Sequence, residues 1–110
     1  MNEVAAEKIA WRRRNVRDHY VGRLAAGGGA LRLVGREPGV GVEVALTIPF
    51  EEIEDVRVSE GLDETLAGEP CVVVEPVHSA AIFVREVGTG RLHTTELAAR
   101  LKGLTRRRMK

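Results

Sequence analysis

Trp11 followed directly by Arg12, Arg13 and Arg14, with Arg17 close behind, is the densest group of chemistry-bearing residues in the chain. An indole beside three guanidiniums has two uses. The ring can lie in a membrane interface while the arginines meet anionic headgroups. It can also stack on a nucleobase while the arginines pair with phosphates. The same residues can instead be spent on structure, with Trp11 packed on the domain and the arginines solvated or paired with acidic side chains. Arg106, Arg107 and Arg108 form a second basic run near the other end.

The remaining reactive types are scattered. His19, His78 and His93 fall at separate element ends, with neither the i, i+4 pair nor the HExxH spacing of a zinc site. They read as turn histidines, and no metal is expected. Cys71 stands between Pro70 and Val72, without the basic niche that makes a thiolate, and reads as a small buried hydrophobe. Glu51-Glu52 and Glu54-Asp55 flank Ile53, and neighbours at a corner point apart, so they suit a solvated acidic edge better than an acid/base pair. The glycine clusters 27–29, 39–41 and 88–90 lack P-loop and dinucleotide spacings. Only VGTGRL (87–92), ahead of a helix, could offer an anion a helix N-terminus, and a tight turn explains it as well. Neither a catalytic constellation nor a cofactor motif emerges, so the expectation is a protein that is not an enzyme.

Charge supports a question about partners. The net +1 conceals six basic against three acidic residues in 1–23, five against thirteen in 24–99, and six against none in 100–110. An acidic body with basic ends suggests a polyanion, either anionic lipid or nucleic acid. Fourteen Arg against three Lys is also what a GC-rich coding sequence produces unaided. At 110 residues the chain suits one domain, and its single Cys excludes an internal disulfide. It shows neither a run of apolar residues long enough to span a bilayer nor the apolar core of a signal peptide, so a cytoplasmic protein is expected.

The elements that must position these residues are mostly strands. Residues 3–17 lack Gly and Pro and contain good helix formers, so an N-terminal helix is expected there, with Ala5, Ile9 and Val16 near one face. Beyond it the apolar period becomes two. Residues 19–26 and 30–36 read as a hairpin about the glycines 27–29. Residues 40–50 carry Val40, Val42, Val44, Leu46, Ile48 and Phe50 on one face, residues 49–53 make a corner, and 54–59 form the next strand. The acidic stretch 60–69 is a loop, with a turn of helix over 62–66. Residues 70–77 and 80–87 form a last, more deeply buried pair. A helix from 92 or 95 to 104 closes the chain, with Thr94 as its N-cap and Leu97, Leu101 and Leu104 as its stripe.

Six strands joined by short links and then one amphipathic helix describe an α+β, mainly β domain. The outline is a six- or seven-stranded antiparallel bent sheet or partly open barrel, capped by the C-terminal helix. A seventh strand would lie in 60–69 or in the N-terminal segment. The hairpin YVGRLAAGGGALRLVGRE (20–37), the corner LTIPFEEIEDVRV (46–58) and the closing IFVREVGTGRLHTTELAARLKGL (82–104) resemble the small bacterial pleckstrin-homology (PH)-like and GRAM-like domains. The resemblance covers 19–104. It leaves 1–18 as an N-terminal helical extension and 105–110 as a basic tail. A non-enzymatic binding or assembly module is expected, with a protein as partner or, since an antiparallel domain of this size has sheet edges, a second copy of the chain. Eukaryotic PH domains carry a Trp in the final helix, where this chain has none. Inositol-lipid binding is not implied, because the first hairpin loop, taken as 27–29, is short and neutral. The alternative is a peripheral binder of anionic lipid or nucleic acid through Trp11, Arg12, Arg13, Arg14, Arg17, Arg106, Arg107 and Arg108.

Overall fold

The computed structural model describes residues 3–59, 61, 64–66, 68–88 and 91–108, with the side chains of 91, 92 and 106–108 excepted. Seven antiparallel strands form one sheet: β1 (Val4–Arg13), β2 (Tyr20–Gly27), β3 (Ala30–Arg36), β4 (Glu43–Pro49), β5 (Ile53–Val58), β6 (Val72–Pro76) and β7 (Ile82–Glu86). Their order is β4-β3-β2-β1-β7-β6-β5, so the first and last strands pair at its centre. The two outer strands, β4 and β5, are not hydrogen-bonded to each other, and the sheet is not closed. A single 3-10 turn, Phe50–Glu52, links these edges, with Phe50 buried beneath it. One helix, α1 (Arg91–Arg108), packs on β5, β6 and that corner. It buries Thr94, Leu97, Ala98, Leu101, Leu104 and Thr105 along one stripe. None of the described helices is long and apolar enough to cross a membrane.

The N-terminal segment is not helical. Val4–Arg13 is the central strand, between β2 and β7, and not an extension outside the sheet. It is also the seventh strand. Its inward residues are Val4 and Ala6, then Ile9 and Trp11, because a bulge between Ala6 and Ile9 sets two residues of β1 against one of β2. That extra residue breaks the period of two and leaves a pattern easily taken for a helix.

The β2–β3 hairpin turns through Gly28 and Gly29, with φ of 61° and 89°. Both central residues of this two-residue turn have positive φ, the type that matches strand twist and that glycine enters at least cost. Gly22 and Gly35 face each other across the same hairpin for a different reason, which is space. A Cβ at Gly22 would stand 2.0 Å from the Val34 carbonyl oxygen, and one at Gly35 would stand 2.9 Å from the indole nitrogen of Trp11.

Three further expectations differ from the structure. Regular pairing in β4 begins only at Glu43, because β3 ends at Arg36, its partner; Val40 and Val42 are therefore exposed, not core. The helix starts at Arg91, so Thr94 lies inside its first turns and is buried there, and is not an N-cap. The helix also continues through Arg108 and takes in most of the supposed tail. The expected helical turn at 62–66 falls partly outside the described residues; within them, Leu66 makes a bridge with Glu69. The turn at 89–90 lies outside them too.

The main core lies between the sheet and α1. A second, smaller one lies on the other face of β6 and β7, where Leu66 and Cys71 cover Val73, Ala81 and Phe83. Both faces of β6 and β7 are thus buried, as the continuous apolar run from Cys71 to Val74 implies.

Candidate functional site

Alternation along β1 separates the Trp-Arg run. Trp11 points inward and is fully buried; its indole N–H donates to the Val34 carbonyl at 3.2 Å, and its ring lies 4.7 Å from that of Tyr20. A ring held this way is not free to enter a membrane or stack on a base. Arg12, one residue on, takes the other face, where its register partner on β7 is Phe83. Its guanidinium carbon lies 4.7 Å from the Phe83 ring centre, and that of Arg14 lies 5.5 Å from it. Two cations on one ring are each worth about 0.5–2 kcal/mol, more as water is excluded.

Most of the Arg12 hydrogen-bonding capacity is spent within the chain. One terminal nitrogen donates to the carbonyls of Arg13, Arg14 and Val16 at 3.3–3.4 Å, and the other to that of Thr65 at 3.2 Å. Arg14 donates to Glu64 at 2.5 Å. Arg57 on β5 grips both oxygens of the same carboxylate, at 2.7 and 2.6 Å, and adds Glu75 on β6 at 3.0 Å. The Glu64 hydrogen bond raises the Arg57 pKa further above its already high ordinary value. Glu64 is therefore a buried carboxylate held by two guanidiniums, and residues 64–66 form a strap over the second core, with Leu66 packed into it. Cys71 lies under that strap: its thiol points to the Glu64 carbonyl at 3.7 Å, and burial raises its pKa.

Arg12, Arg14 and Arg17 come together around a depression of about 520 Å³, also lined by Asn15 and Thr65. Its chemistry suits an anion, with exposed Arg17 on its rim. Asp18 on the loop 14–19 raises the pKa of Glu37 on the loop 37–42, chiefly because the two carboxyl groups can share a hydrogen bond only when one is protonated. Arg13 stands on the opposite face of β1 from Arg12. The side chains of Arg106, Arg107 and Arg108 lie outside the described set.

His93 on α1 bonds Glu86 on β7 at 2.6 Å. Asp55 meets Lys102 at 3.8 Å across a solvent-exposed edge. Among the described residues no group of three or more His, Cys, Asp and Glu is placed to hold a metal. Sequence reasoning missed Glu64, Arg57 and Glu75, because the carboxylate in a loop and the arginine on an alternating strand both read as solvated surface. Compared with family models and with curated proteins, the sequence matches none.

Proposed function

We propose that this chain is a bacterial, cytoplasmic PH-like module that works by binding and carries no chemistry of its own. Its partner on this reading is a protein or a second copy. Seven strands and a C-terminal helix agree with the resemblance. The observation that carries the reading is how the potentially reactive groups are used. Glu64 is neutralised by Arg14 and Arg57, Cys71 keeps its proton in a small apolar core, and Trp11, Ile9, Leu24, Leu33 and Val84 fill the interior. Recognition then falls to edges and loops. A panel of chromogenic esters, phosphates and glycosides should show only background rates. A rate lost in folded Cys71→Ala or Glu64→Gln would overturn the reading.

A second reading, binding to an anionic lipid or nucleic-acid surface, draws on the depression that gathers Arg12, Arg14 and Arg17. The loop between the first two strands is 14–19, not 27–29, and it is basic. An inositol phosphate would therefore meet Arg14 and Arg17 on this loop, and not the short neutral turn at 27–29. Trp11 takes no part. Co-sedimentation with anionic vesicles and retardation of duplex DNA, each across a salt series, separate the two surfaces; salt-insensitive or absent binding to both removes this reading.

A further inference from the structure

The two edges of the sheet are built differently. On β5 the edge carries Glu54, Asp55 and Arg57, and α1 lies against it with Lys102 near Asp55. Charges and a covering helix are the usual means of blocking edge pairing. On β4 the seven residues hold one charge, Glu43, and one proline at the very end. Val42, just before the strand, is 63% exposed, and Val44 and Leu46 are only half-buried.

The hydrogen-bonding phase of this edge is fixed. The Phe50 N–H donates to the Gly29 carbonyl at 2.9 Å, in register with the β3–β4 ladder. Even-numbered residues of β4 therefore bond β3, while Glu43, Ala45 and Thr47 aim their N–H and C=O groups at the free edge.

We infer that β4 pairs antiparallel with β4 of a second copy about a two-fold axis at Ala45. This rests on the reading of the chain as a binding and assembly module, and it names the partner and the surface. In that register Glu43 faces Thr47 of the other copy, so each of the three edge residues meets a partner with both backbone groups available. Val44 faces Leu46, and Val42 faces Ile48, which keeps the inner row apolar. Behind Thr47 stands Arg32, its register partner on β3. Two strand spacings, about 10 Å, separate the Glu43 and Arg32 backbones across the axis, within reach of both side chains. Each Glu43 then lies between its own Arg36, already at 3.6 Å, and the second copy's Arg32. A shift that puts Leu46 on the axis sets Glu43 against Pro49, which has no N–H, and against no cation behind it, since the β3 partner of Pro49 is Ala30.

Sedimentation equilibrium of the full chain over a wide concentration range tests this directly. The wild type should show a monomer–dimer equilibrium. Ala45→Pro removes only an N–H that points away from β3, and proline is tolerated on edge strands, so it should be monomeric with an unchanged far-ultraviolet spectrum. Glu43→Arg and Arg32→Glu should each weaken the homodimer about tenfold, and an equimolar mixture of the two should recover the wild-type association. That exchange also decides the matter if the proline variant does not fold. A monomeric wild type overturns the inference, as does a dimer indifferent to all three substitutions; neither outcome affects the turnover panel that tests the underlying reading.

Discussion

Glu64→Ala should loosen the strap over the second core, and the size of the effect can be worked from the contacts. The carboxylate is 9% exposed and accepts two hydrogen bonds from Arg57, which is 26% exposed, and one from Arg14, which is 48% exposed. A hydrogen bond to a charged group is worth about 1.5–3 kcal/mol when sheltered, which is the share assigned to Arg57. The half-exposed Arg14 pair adds about 0–1 kcal/mol. Glu75 remains as a partner for Arg57, so the vacated guanidinium is not stranded and the upper end is not reached. The expected loss is about 2–3 kcal/mol, seen as a lower denaturation midpoint at unchanged m-value. Local opening is read separately through Cys71, which the strap covers. Alkylation of the native thiol, slow in the wild type, should accelerate about thirtyfold for 2 kcal/mol if strap opening limits access. A variant that unfolds at the wild-type midpoint and labels at the wild-type rate would show that the Glu64–Arg57 pair only breaks even against its desolvation.

Three other substitutions test the remaining structure. Trp11→Ala should cost about 3–5 kcal/mol by denaturant titration, as for a fully buried aromatic, and the wild-type Trp emission should not shift when anionic vesicles are added; a shift would place the ring in lipid. Gly22→Ala, although the backbone there is ordinary, should destabilise by at least about 1–3 kcal/mol, because its Cβ would meet the Val34 carbonyl; a neutral variant would mean that β2 and β3 can separate freely. The Cys71 thiol keeps its proton to a higher pH in the folded chain than in the unfolded one. The unfolded chain therefore ionises first, and stability should decline as pH rises past the ordinary thiol value of 9.0; Cys71→Ala should flatten that decline, and an unchanged slope would assign it to other groups.

Where local pattern and tertiary role agree, the sequence sufficed. β2, β3, β5, β6 and β7 each alternate, or run apolar where both faces are covered, and glycine marks the β2–β3 turn. Even the greater burial of β6 and β7 was legible in Cys71-Val72-Val73-Val74. What it did not show is the strap, because the value of Glu64 depends on Arg14 and Arg57, which lie in other elements and come together only when the sheet is assembled.

The central strand failed to declare itself for a reason that also bears on the arginines. One extra residue between Ala6 and Ile9 moves the inward set from even to odd positions, so Trp11 goes in and Arg12 comes out. Without the bulge, Ile9 and Trp11 would face outward while Arg12 and Arg14 faced the core, since a one-residue slip reverses every side chain beyond it. The bulge is therefore what places Arg12 and Arg14 over Phe83 and on the wall of the depression with Arg17. The Trp-Arg run is not a membrane or nucleic-acid motif in which ring and cations act together. It is a strand with its ring in one core and two guanidiniums over the other, and an anion at this end would meet arginines without the indole.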